Sequence, residues 1–119
     1  MRIDNYNEIK RFFDENLVGR EVSMMFSSYI KPATEYKGKL EEVSYYGYLG
    51  EEVKDTNEKL KGSVRFKIGN SRVNLDAGFR RESDKLDLIS FEHDKQIIYY
   101  LASEDDRENG TGIFFKKIE

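Results

Sequence analysis

The sequence contains no cysteine, which excludes disulfides, a thiolate nucleophile and any thiolate metal site. It contains one histidine, His93, set between Glu92 and Asp94. No spacing supplies the second and third ligands that a metal would need, so a solvated turn is the better reading of His93. One histidine among scattered serines gives no Ser–His–Asp arrangement either. Only one proline occurs in 119 residues. The N-terminal stretch MRIDNYNEIKRFF is polar and charged, without an apolar run of signal-peptide length. Nowhere is there the run of about 18 apolar residues that spans a membrane. A cytoplasmic location is expected, with no membrane partner.

Charge of one sign is lacking too. Twenty Lys and Arg against 23 Asp and Glu leave a net charge of −3. Bulk charge therefore points neither to a nucleic-acid binder nor to an acidic DNA mimic. Phosphate-cradling glycines are missing, because Gly62, Gly69 and Gly78 match neither GxGxxG nor GxxxxGK[ST]. A calcium loop fails at Glu104–Gly110. With Gly110 in sixth place, Arg107 falls third and Lys116 twelfth, so this stretch reads as a solvated hairpin loop. Glu41-Glu42 and Glu51-Glu52 are adjacent pairs, and neighbours on a strand point to opposite faces, so neither is an acid–base dyad. The chain is thus expected to be non-enzymatic, without catalytic residues, metal site or cofactor.

What is present is a core. Apolar residues make up 38% and aromatics 13%, with eight Tyr and eight Phe, enough to argue for folding rather than disorder. The length fits one domain over 1–119, burying roughly 65% of the unfolded surface. Tyr6, Ile9, Phe13 and Leu17 recur at three- and four-residue steps behind Asn5 and Glu8, which have capping-box spacing. A helix over about 5–17 follows, ended by Gly19.

Beyond Gly19 the period becomes two. Val22, Met24 and Phe26 mark one strand, Lys31-Pro32-Ala33-Thr34 a break, and Tyr36 to Leu49 a long strand bent at Gly38 and Gly47. Residues 50–62 read as a long polar loop and as the most mobile segment. Val64, Phe66, Ile68, Val73, Leu75 and Ala77 alternate around Gly69-Asn70-Ser71 as a hairpin. Strands at Leu86–Phe91, Ile97–Ala102 and Ile113–Ile118 follow. The β region runs over about 20–118. The fold class is α+β: an N-terminal helix, then a curled antiparallel sheet or a small SH3- or Sm-like barrel of five to seven strands.

Within this pattern residues 5–49 resemble the first half of a Sm-like (LSm, Hfq-like) domain. The resemblance rests on the helix, on Leu17-Val18-Gly19-Arg20-Glu21-Val22, and on Gly38-Lys39-Leu40-Glu41-Glu42-Val43 opening a bent strand. Leu86-Asp87-Leu88-Ile89-Ser90-Phe91 and Ile97 to Leu101 look like its closing strands. The resemblance implies a small barrel and an RNA-binding function. The positions that carry Asp and Asn in uridine-binding members hold Ser44 and Tyr48 here.

Two features suggest a binding surface. Tyr45, Tyr46 and Tyr48 cluster on one strand, with Tyr99-Tyr100 on another, and about half of them must point away from a core on one face. Arg65, Lys67 and Arg72 share the outer side of the hairpin, with Arg80, Arg81 and Lys85 beyond and Glu82, Asp84 and Asp87 interspersed. The expected function is that of a small binding or assembly domain acting through an exposed sheet surface on a protein partner or a second copy. Small acidic chains of this kind occur among phage and bacterial accessory factors, by analogy alone. The alternative is an RNA- or nucleotide-binding Sm-like domain that uses the basic hairpin.

Overall fold

The helical stripe folds as its spacing requires. In the computed structural model, which describes residues 1–28, 31–47, 49–54, 56–76 and 85–118, strand β1 (Arg2–Ile3) precedes helix α1 (Tyr6–Asn16). Asn5 caps α1, its side chain accepting from the Glu8 amide at 3.0 Å. Tyr6, Ile9 and Phe13 are buried on one side, and Leu17 joins them just past the end. Gly19 then takes φ +87°, a left-handed conformation that suits the residue after a helix.

The remaining chain forms β2 (Glu21–Ser28), β3 (Lys31–Tyr46), β4 (Ser63–Ile68), β5 (Ser71–Asp76), β6 (Leu86–His93), β7 (Gln96–Ser103), the short helix α2 (Glu104–Glu108) and β8 (Gly112–Lys117). All strands join one antiparallel, unclosed sheet of eight, in the order β1-β6-β7-β8-β2-β3-β4-β5. The α+β class stands as read. The strand number does not: the described residues form eight strands in an open sheet. The two-residue β1 is too short to leave a periodic signal.

The sheet wraps around α1. Three strand spacings separate β8 from β4, which on a flat sheet would be roughly 14 Å. Yet the rings of Phe115 on β8 and Phe66 on β4 lie 5.0 Å apart, with Phe13 of α1 at 5.3 and 5.6 Å from them. These three rings sit at the centre of one buried cluster that draws side chains from α1 and from β2 through β8. A bulge between Leu40 and Glu42 supplies part of the curl.

Three local expectations are corrected. Lys31–Thr34 does not break the sheet but begins β3. Pro32 lies where β3 pairs with β2 alone, because β4 joins only from Leu40, and a missing donor is tolerated on such a free side. The 50–62 segment is a strap more than a free loop. Val53 donates to the Tyr45 carbonyl, Tyr6 to Glu58 and Leu86 to Leu60, at 2.8–3.0 Å, and Leu60 is fully buried. Glu104–Glu108 is a helical turn capped by Ser103, whose hydroxyl accepts from the Asp106 amide at 3.2 Å.

Candidate functional site

Alternation along the second hairpin decides which side chains face outward. Val64, Phe66 and Ile68 of β4 and Val73 and Leu75 of β5 are buried, so Arg65, Lys67, Arg72 and Asn74 stand on the outer face. On β3 the bulge resets the phase, turning Tyr45 inward and Glu42, Ser44 and Tyr46 outward. Register then aligns Glu42 with Lys67 and Lys67 with Arg72, and in the next row Ser44 with Arg65 and Arg65 with Asn74. Glu42, Ser44, Tyr46, Arg65, Lys67 and Arg72 line a depression of about 170 Å³.

Four of the eight residues singled out from the sequence therefore converge: Tyr46, Arg65, Lys67 and Arg72. Tyr45 does not join them. It is 4% exposed, packs edge-on against Tyr6 with ring centres 5.1 Å apart, and burial holds its phenol well above the usual pKa. Tyr48, Arg80 and Arg81 lie outside the described residues.

The depression is partly organised. The Arg65 guanidinium stands 5.4 Å over the Tyr46 ring, and its Nε donates to Asn74 Oδ1 at 3.0 Å. Lys67 Nζ lies 3.5 Å from Glu41, and the Ser44 hydroxyl donates to Glu42 at 3.4 Å. Arg72 has no ion-pair partner among the described residues. Such a set can hold an anion.

A second outer-face feature escaped the sequence reading. Cross-strand pairing lines up Ile89, Tyr100, Phe114 and Met25 across β6, β7, β8 and β2, ending at Glu35 on β3. Phe91 and Ile98 pair in the adjacent row, which Lys116, Ser23 and Lys37 continue. Phe91 is 42% and Met25 37% exposed, and a groove of about 260 Å³ runs between the rows. The available signal was the run of adjacent apolar pairs: Met24-Met25, Ile97-Ile98 and Phe114-Phe115. On a strand, each such pair must send one member to each face.

Elsewhere on this face Asp87, buried at the start of β6, meets Arg2 at 2.8 Å and also pairs with Arg107 of α2. Arg107 lies 5.5 Å over the Tyr100 ring, and burial, with Arg2 nearby, lowers its pKa. His93 is exposed at the end of β6, 3.3 Å from Asp94, beside a turn in which Asp94 and Lys95 have φ of 51° and 66°. Among the described residues no group of three or more His, Asp or Glu side chains converges as a metal site. A depression of about 620 Å³ lies along the strap and mixes Glu51, Glu52 and Glu58 with Lys54, Lys59 and Lys61. Among the described residues no helix is long and apolar enough to cross a membrane.

No family model matches the chain, and no curated protein or solved structure matches it.

Proposed function

We propose that this protein is a non-enzymatic assembly module that pairs with another protein chain, in the first instance a second copy of itself, through the outer face of β6, β7, β8 and β2. The observation that carries this reading is the apolar run of Phe91, Ile98, Phe114 and Met25, one from each of the four strands, along the outer groove. Scattered exposed apolar residues need no explanation, but a contiguous run across four strands does. Large aromatic and Met side chains are the types enriched at interface cores. The row ends in Glu35, and the adjacent row carries Lys116 and Lys37. Glu35 pairs with Lys37 within the chain at 3.3 Å, and a two-fold-related copy can bring Lys116 against the other chain's Glu35, as an isologous interface requires. The likeness of residues 5–49 to Sm-like domains agrees with a binding module rather than an enzyme.

Sedimentation velocity over a range of concentrations tests the reading. The wild-type chain should show a concentration-dependent dimer, and Met25→Glu or Phe91→Glu should weaken it by about tenfold or more, as for interface anchors. A wild-type chain that stays monomeric throughout, or variants that associate as the wild type does, would overturn self-assembly through this face.

A further inference from the structure

The β3–β4–β5 corner carries a cost that the fold does not explain. Lys67 and Arg72 are direct cross-strand partners on one face, with Arg65 one row away. Like charges directly opposite each other destabilise a sheet. Glu41 offsets Lys67, but among the described residues neither Arg65 nor Arg72 pairs with a carboxylate. Local choices that run against stability mark functional sites. Arg65 is moreover held in place by the Tyr46 ring and by Asn74, so its terminal amino groups are presented in a set orientation.

We propose that this corner binds a phosphate monoester carried on a sugar. Glu41 offsets Lys67, and Glu42 is the carboxylate in the lining, so the positive charge left without an ion-pair partner is that of the Arg65 and Arg72 guanidiniums. Two such groups suit an anion like a phosphate monoester, which carries about −1.5 to −2 at neutral pH. Two guanidinium forks suit phosphate geometry, and Lys67 adds a point charge. Glu42 and Ser44, on the strand beside the cations, can accept hydrogen bonds from sugar hydroxyls, which a bare phosphate lacks. The same Glu42, with Glu41 close by, disfavours a polymer that brings further phosphates across the face. The site lies on other strands than the apolar rows, and it stands or falls independently of assembly through them.

The test is an amide chemical-shift titration of the whole chain with inorganic phosphate, ribose 5-phosphate, uridine monophosphate and a short oligouridylate. Saturable shifts are expected in β3, β4 and β5, with ribose 5-phosphate tighter than inorganic phosphate. Arg72→Gln should weaken both by about tenfold, the loss of one charge-assisted hydrogen-bonded partner. Glu42→Gln should remove the advantage of ribose 5-phosphate while strengthening inorganic phosphate binding, because a carboxylate beside the anion is neutralised. Lys10→Gln, at a helix-surface cation paired with Asp14 outside both sheet faces, should leave phosphate binding unchanged. Tighter binding of uridine monophosphate than of ribose 5-phosphate assigns the sugar phosphate to a nucleotide, and equal binding to a simple sugar phosphate. The proposal is overturned by the absence of saturable shifts at millimolar ligand. It is equally overturned by shifts that Arg72→Gln leaves unchanged in a variant folded by circular dichroism. Oligouridylate binding much tighter than the monophosphates, with steep salt dependence, would also overturn it and indicate a nucleic-acid surface instead.

Discussion

Replacing Asp87 by Ala isolates what holds the chain's N-terminus and α2 onto the sheet. The Asp87 side chain is 6% exposed and sits between two guanidinium groups: Arg107, 22% exposed, and Arg2, 60% exposed. The two pairs are not equivalent. An exposed pair contributes about 0–1 kcal/mol after screening and side-chain ordering, so Arg2 adds little. Removing one partner of a buried pair costs about 3–5 kcal/mol, because the other charge is left desolvated and unmatched. Arg107 is only partly desolvated, which places the loss at the lower end, about 3 kcal/mol. Its Nε has no hydrogen-bond partner among the described residues, so without Asp87 the Arg107 guanidinium keeps only the Tyr100 ring, 5.5 Å away.

A chain of this length has a total stability of roughly 6–18 kcal/mol, so the loss would be a large share of it. In thermal melts it corresponds to a fall of about 12 °C. Urea unfolding should show a lower midpoint with an unchanged slope. Arg2→Ala should cost about 0.5 kcal/mol or less. A double-mutant cycle between Asp87 and Arg107 should return most of the Asp87 loss as coupling. A drop below about 0.5 kcal/mol for Asp87→Ala, as at an ordinary surface site, would refute the argument.

Phe13→Ala removes the ring that Phe66 and Phe115 close around, and should cost about 3–5 kcal/mol in urea unfolding; a change within 0.5 kcal/mol would mean that the helix stripe is not the core. Tyr45→Phe should be neutral or stabilising by up to about 1 kcal/mol, since the buried hydroxyl has no hydrogen-bond partner among the described residues; a clear loss of stability would reveal one. Gly62→Ala should destabilise by at least about 1–3 kcal/mol, because φ is +91° and a Cβ would overlap the carbonyls of Tyr46 and Gly47; wild-type melting would contradict this.

Much of the fold was legible in the sequence, because periodicity and capping act locally. The Tyr6–Ile9–Phe13–Leu17 stripe, the Asn5 cap, the Gly69-Asn70 hairpin and the strands at 86, 97 and 113 need only neighbouring residues to declare themselves. The convergence of Arg65, Lys67 and Arg72 was legible for the same reason, since residues i and i+2 share a face across a two-residue turn. Tertiary structure alone decided where the helix would sit, because burying Phe13 between Phe66 and Phe115 requires the sheet to curl across strands far apart in sequence. It also decided the inward turn of Tyr45, set by a bulge one turn of the pleat earlier, and the strap at 50–62, whose polar composition conceals the buried Leu60. The order β1-β6-β7-β8-β2-β3-β4-β5 brings Met25 beside Phe114 and Asp87 beside Arg2. Those contacts arise from long-range strand pairing: adjacent apolar pairs such as Met24-Met25 mark single outward residues, but their alignment into rows and the buried ion pair had no signature until the sheet was assembled.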